Sequence, residues 1–283
     1  MRLLKTVLDF YIKSSLHVAI CFVALLYVFH CYSFVKLSED FALLGFCFVV
    51  IGYNFIKYAT LVYENRDFKY KIEIFIITVI SALVGAYLLL FESLQAYIVL
   101  LISGLLSLFY VIPFYHKKSL RLMSIIKVIT VVVVWWLVIM VLPVYSVYSE
   151  VVNLNVDGLN SIEQINWTPY IIKSVELFLF VFSLLIPFEI RDLKYDDPSL
   201  KTIPQLVGTR KTKYLGIVLL LCAFLLHHFY FMQYEFPYYF IPLLIYVITA
   251  IAIWFSDKFK ADYYVSFFVE AIPVFWLALY WMT

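Results

Sequence analysis

The chain has 283 residues, 65% of them hydrophobic and only 14% charged, with a mean hydropathy of +0.97 and a formal net charge of +2. A soluble domain carries about 25% charged residues, so this composition excludes an ordinary water-soluble fold, and repeated apolar runs of about 20 residues place the chain in a bilayer. Nothing basic, Gly-rich or aromatic-interleaved points to nucleic acid, and the cysteines (Cys21, Cys31, Cys47, Cys222) lie in apolar runs without CxxC spacing, indicating neither a disulfide framework nor a zinc site.

The run from Ser14 to Val35 is longer than a signal-peptide core and has no small-residue cleavage site after it, so it is expected to be a first membrane span rather than a cleaved leader. Further spans are expected at 41–62, 72–91, 94–114, 123–145, 168–188, 214–232, 237–255 and 263–282. The result is an all-α, polytopic membrane protein, a single nine-helix domain over 1–283. Each span covers a hydrocarbon core about 30 Å thick at roughly 1.5 Å per residue. Glu92 and Ser93 alone join the third and fourth spans, which predicts a tight helical hairpin. Of the 21 Lys and Arg, all but Lys36 and Lys173 fall on one side of this alternation. The positive-inside rule then puts the amino terminus in the cytoplasm and the carboxyl terminus outside the plasma (inner) membrane. The longest external loop runs from about Ser146 to Trp167 and reads as a solvated connector.

The densest polar cluster follows the sixth span: Glu189-Ile-Arg-Asp-Leu-Lys-Tyr-Asp196, continuing to Asp197, Pro198, Lys201 and Leu206-Val-Gly208. On a helix, at about 100° per residue, Glu189, Asp192 and Asp196 fall within roughly a 60° arc. Three acids on one face at a membrane boundary repel one another unless a cation or basic partner sits among them. Arg191 and Lys194 point roughly the other way, so they are poor partners for these acids, and a functional cavity is the favoured reading. Glu176 and Glu270 are ionisable groups inside spans, each in need of a partner. His227 and His228 have no carboxylate at ligand spacing and do not read as a metal site, while Glu64 and Asp67 read as a solvated junction.

The segment FEIRDLKYDDPSLKTIPQLVGTRKTKYLG resembles the second acidic motif of the UbiA family of intramembrane aromatic prenyltransferases, a DxxDxxxD helix end followed by a basic, Thr-containing loop. Glu189, Asp192 and Asp196 match its three acids, with Glu in place of the first Asp, and Lys201-Thr202 and Val207-Gly208 match the trailing loop. The segment FYVIPFYHKKSLRLMSIIKV is similar to that family's Tyr–x–x–Pro…Lys turn, carried by Tyr110, Pro113 and Lys117 or Lys118. A nine-helix bundle with a cytoplasmic amino terminus is also the family's architecture.

The resemblance implies that Asp192 and Asp196, with Glu189, hold Mg2+ and the diphosphate of an isoprenoid donor. Lys117 or Lys118, with Arg191 or Lys201, would neutralise phosphate oxygens, and Tyr110 and Asn54 would line the cavity. The acceptor would be an aromatic or lipid molecule taken from the membrane. The family's first motif, NDxxDxxxD, aligned on Asn54, puts Phe55, Tyr58 and Val62 where its acids stand. About half the protein ligands are then missing, so one ion rather than two is implied. Lys57 shares a helix face with Asn54 and is expected to face Asp192 and Asp196, supplying part of the charge that metal supplies in relatives. The second reading is a catalytically inactive or repurposed member that binds an isoprenoid lipid or serves as a subunit of a membrane protein complex.

Overall fold

The computed structural model describes residues 2–31, 37–113, 119–145, 167–232, 238–259 and 263–283, and these residues are helical throughout apart from short turns. The helices are α1 (Arg2–Lys13), α2 (Leu16–His30), α3 (Glu39–Tyr63), α4 (Lys71–Leu89), α5 (Leu94–Val111) and α6 (Ser124–Trp136). They continue with α7 (Trp167–Asp192), the short α8 (Ile203–Val207), α9 (Thr209–Phe231), α10 (Phe240–Phe255) and α11 (Ile272–Trp281). A π-helical stretch, Leu137–Val141, extends α6, and another, Tyr264–Val269, precedes α11. The loop expected from Ser146 onward, together with Lys36, Lys117, Lys118 and Lys260, lies outside the described residues.

Among the described residues, seven helices are long and apolar enough to cross a membrane, which is the architecture of a polytopic helical membrane protein. Each of the nine expected spans overlaps a helix among the described residues, but the count of nine goes beyond these seven, because α2 has only 15 residues and α10 only 16. At about 1.5 Å per residue these two reach roughly 22–24 Å of a core about 30 Å thick. The first span is also broken. Ser15 adopts a left-handed conformation (φ 64°), and α1 turns 62° away from α2.

Helix α1 was not foreseen. It is a 12-residue amphipathic segment whose Leu3, Leu4 and Val7 are exposed. Its polar face ties it to the α3–α4 turn. Lys69 reaches Asp9 at 3.3 Å, and Tyr70 donates to the Thr6 carbonyl at 3.2 Å. Tyr263, just before α11, also donates to Asp9.

Lipid gives helices little hydrophobic reason to associate, so close packing and interhelical hydrogen bonds must hold the bundle. Trp276 is a hub of that packing, with Phe180 at 5.2 Å, Phe29 at 5.6 Å and Tyr246 at 5.9 Å between ring centres. Gly216 brings α9 against α7 and α10: a Cβ there would meet Ile186 and Ile253 at 3.1 Å. The Ser183 hydroxyl donates to the Gly216 carbonyl across the same contact at 3.1 Å. The π-helical stretches release carbonyls from the regular ladder, and side chains take them up. His30 Nε2 donates to the Ile139 carbonyl at 2.9 Å and Tyr170 donates to that of Met140. His17 Nε2 donates to that of Phe267 at 3.1 Å.

Candidate functional site

The end of α7 opens into a cavity of about 860 Å³, bounded by α3, α5, α6, α7 and the segment before α11. Four cations (Lys57, Arg121, Lys127, Arg191) and five carboxylates (Glu189, Asp192, Asp196, Asp197, Glu270) line it. Pro187 sits inside α7 just ahead of the acids and removes one ladder hydrogen bond there. The helix stops at Asp192. Tyr195 and Asp196 then fold back so that both their amides bond the Asp192 carbonyl, at 2.8 and 2.9 Å. That turn keeps Asp196 on the same side as Glu189.

The cation that the acidic face requires is Lys127 of α6. Its ammonium lies 2.9 Å from Glu189 Oε1 and 2.9 Å from Asp196 Oδ2, and both Lys127 and Glu189 are buried. The other oxygen of Glu189, Oε2, is buried without a hydrogen-bond partner. Asp192 is held differently. Arg191 Nε donates to Asp192 Oδ1 at 2.8 Å while its Nη1 donates to Ser266 at 2.6 Å and its guanidinium stacks over Phe188. The expectation that Arg191 is a poor partner for the acids is therefore corrected. Both residues lie in the last turn of α7, and the contact is made by the length and flexibility of the Arg side chain, which bends to its neighbour although the two Cβ atoms point about 100° apart.

Lys57, Tyr110, Glu189, Arg191, Asp192 and Asp196 thus share one cavity. Lys57 is turned inward, but its ammonium donates to the Ile12 carbonyl at 3.1 Å and the Ser15 hydroxyl at 3.0 Å, at the α1–α2 break. Asn54 does share that face, since Ser15 donates to its Oδ1 at 2.7 Å. Its amide nitrogen then donates to Thr78 of α4 at 2.9 Å, so Asn54 braces three helices and does not line the cavity. Lys201 stands outside the cavity too. It adopts a left-handed conformation (φ 51°), and its carbonyl accepts from Ser124. Lys117 and Lys118 are outside the described residues. Glu64 and Asp67 sit at the exposed α3–α4 turn, beside Arg66 and Lys71.

The magnesium ions implied by the resemblance need several oxygens converging at about 2.1 Å. Here the point between Glu189 and Asp196 is filled by an ammonium, Asp192 accepts from Arg191, and α3 offers no acid at Phe55, Tyr58 or Val62. Among the described residues no three His, Cys, Asp or Glu side chains gather as a metal site would. This donor set does not fit a two-ion arrangement.

Behind the polar cavity an apolar groove of about 360 Å³ runs between α3, α5 and α6. The two volumes share Tyr53, Ile56, Tyr110, Val131 and Trp135 as walls, so they adjoin. Tyr53 is fixed at the junction by Trp135, whose Nε1 donates to its hydroxyl at 3.1 Å. From residue 48 to 56 on α3 and from 100 to 110 on α5, the groove runs roughly 12–15 Å along the helices at 1.5 Å per residue. A polar chamber beside an apolar groove suits an amphiphile.

Sequence reasoning missed Lys127, which it counted only among the boundary cations. The signal was available: a lysine three residues into an apolar run is an ionisable group in a span, which needs a polar partner. It did not foresee the surroundings of His227 either. A carboxylate does approach it, but from another helix: Glu176 Oε1 lies 3.2 Å from His227 Nδ1. No family model, curated protein or solved structure matches the chain.

Proposed function

We propose that this chain is a UbiA-like intramembrane prenyltransferase that moves an isoprenoid from its diphosphate to an aromatic or lipid acceptor. The observation that carries this reading is the adjacency of a charged cavity and an apolar groove, which share Tyr53, Ile56, Tyr110, Val131 and Trp135 as walls. In this reading the seven long spans, with α2 and α10, make a nine-helix bundle whose acidic end faces the cytoplasm of the plasma membrane.

The donor's head group would enter the cavity and its tail the groove, the remainder lying in lipid. Lys57, Arg121 and Arg191 would balance the phosphate charge, since each lines the cavity. In the reaction the bond between the donor's first carbon and the diphosphate oxygen breaks, and its electron pair leaves with the diphosphate. The acceptor bonds to that carbon and gives up a proton, which Glu270 at the cavity wall would take. Apolar walls would shelter the electron-poor carbon from water, and Tyr53, Tyr110 and Trp135 offer it aromatic faces.

The test is release of diphosphate by purified protein in lipid nanodiscs, given radiolabelled geranylgeranyl diphosphate and extracted membrane lipids. Release together with a labelled lipid, both lost in Asp192→Asn, is expected; no release under any acceptor mixture overturns the transfer step. The clamp of Lys127 on Glu189 and Asp196 favours a second reading, in which an isoprenoid lipid is bound but not cleaved. That reading expects intact prenyl lipid to co-purify with the protein, without diphosphate release.

A further inference from the structure

We infer that Lys127 is the built-in counter-ion of the acidic cluster: its ammonium occupies the place a divalent cation would need, and the cluster works without one. This deepens the reading of the cavity as a head-group site and rests on it only for its consequence, that phosphate recognition falls to the chain's own cations.

The geometry carries the argument. An ammonium has three donors and no acceptor, and two of Lys127's donors reach two different carboxylates, each at 2.9 Å. The lysine stem rises from the first turns of α6, with its amide bonded to the Met123 carbonyl at 3.1 Å, so the ammonium reaches the acids without leaving a buried path. Glu189 is equally buried, and its Oε2 has no hydrogen-bond donor beside it. A buried carboxylate with one oxygen already unpartnered depends on its remaining partner, so the Lys127 contact is not an optional surface bridge.

A divalent ion between Glu189 and Asp196 would displace the ammonium or stand against it at contact distance. Mg2+ asks for near-octahedral oxygen coordination and keeps its waters tightly, and the α3 residues that line the cavity, Tyr53, Ile56, Lys57 and Thr60, offer no carboxylate to complete it. Lysine and metal are thus alternatives here. The chain has lost the acids of one wall and carries a cation on another.

The test uses Mn2+ alone, followed by electron paramagnetic resonance on the full chain in nanodiscs of zwitterionic lipid. Wild-type protein is expected to show no cluster-bound Mn2+ at millimolar concentrations. Lys127→Met should gain a site at least tenfold tighter, and Lys127→Met/Glu189→Gln should lose it again. Wild-type binding that disappears in Glu189→Gln would overturn the inference, as would a stable Lys127→Met that binds nothing. Should Lys127→Met prove too unstable to titrate, rescue of its melting temperature by Mn2+ or by the added Glu189→Gln supports the inference. Failure of both rescues overturns it. No prenyl lipid enters this measurement, so its outcome and that of the transfer assay are independent.

Discussion

Far from the cavity, Glu176 lies fully buried within α7 with Lys173 one turn before it. The Lys173 ammonium stands 2.8 Å from Glu176 Oε2 and 2.9 Å from His227 Nδ1, and Tyr246 donates to Glu176 Oε1. His227 Nε2 must carry the ring proton, because it faces the Tyr239 carbonyl at 3.2 Å and a carbonyl can only accept. Nδ1 faces both the Lys173 ammonium and Glu176 Oε1, at 2.9 and 3.2 Å, so Lys173, Glu176 and His227 form one buried cluster around the Lys173–Glu176 ion pair. Glu176→Ala would leave the ammonium buried with the imidazole and two aromatic faces, Phe231 at 4.3 Å and Phe29 at 6.0 Å. Removing one partner of a buried pair costs about 3–5 kcal/mol, and cation–π contact already present in the wild type cannot offset that loss. On a scale of about 2 °C per kcal/mol for a chain of this size, the melting temperature in nanodiscs should fall by roughly 6–10 °C. Lys173→Met/Glu176→Leu, which removes both charges, should recover most of it, since such replacements are often neutral or stabilising. A Glu176→Ala loss below about 1 kcal/mol, additive with Lys173→Met, would refute the idea of a dry, mutually dependent pair.

Three further outcomes follow from other parts of the molecule. Gly216→Ala should cost about 1 kcal/mol and Gly216→Leu considerably more, because any Cβ there meets Ile186 and Ile253 at 3.1 Å; thermal melts of the two variants check this. Asp257, in the turn after α10, is bonded by Lys213 at 2.5 Å, and that hydrogen bond holds its carboxyl below the usual carboxylate range. A lowered folded value means its stabilising contribution is complete above the unfolded value, near pH 4, and is lost as the pH falls through the folded one. Asp257→Asn should therefore lower stability by its small full amount near neutral pH, with the difference from wild type vanishing as the pH falls, which flattens the acid limb of a stability–pH curve. Asp192→Asn should abolish diphosphate release without lowering the melting temperature by more than about 1 kcal/mol equivalent, since Asp192 is part-exposed and its Arg191 keeps Ser266 and Phe188.

The long apolar runs were legible because a span must satisfy its backbone internally and be apolar over about 20 residues, and each expected run overlaps a helix among the described residues. The acidic motif was legible in part for a similar local reason: Glu189 and Asp192 are three residues apart at the end of α7, whereas Asp196 lies past the helix and is returned to that side by the turn onto the Asp192 carbonyl. What the residue order hides is the partner across the bundle. Lys127 is 69 positions from Asp196, and Glu176 is 51 from His227, so only packing shows that they meet. Helix α1 was missed for a different reason. Its apolar residues are too few and too spread for a hydropathy window, and only its angle to α2 distinguishes it. Lys57, expected to face Asp192 and Asp196, lines the same cavity, but its ammonium is hydrogen-bonded to the Ile12 carbonyl and to Ser15 at the helix break, partners that its spacing to Asn54 does not reveal.

The account rests on a head-group cavity beside a tail groove, and two glycines allow that pairing to be tested without disturbing the fold. Gly52 and Gly104 line the groove, and a Cβ added at either meets nothing within 4 Å. Gly52→Leu and Gly104→Leu should therefore fill the groove while keeping the wild-type melting temperature. Binding of geranylgeranyl diphosphate and of dimethylallyl diphosphate to the nanodisc protein, measured by competition with a labelled prenyl diphosphate, is the decisive comparison. The account predicts at least a tenfold loss for the long chain in both variants and little change for the short one. Long-chain binding that is unchanged in Gly52→Leu and Gly104→Leu would contradict it.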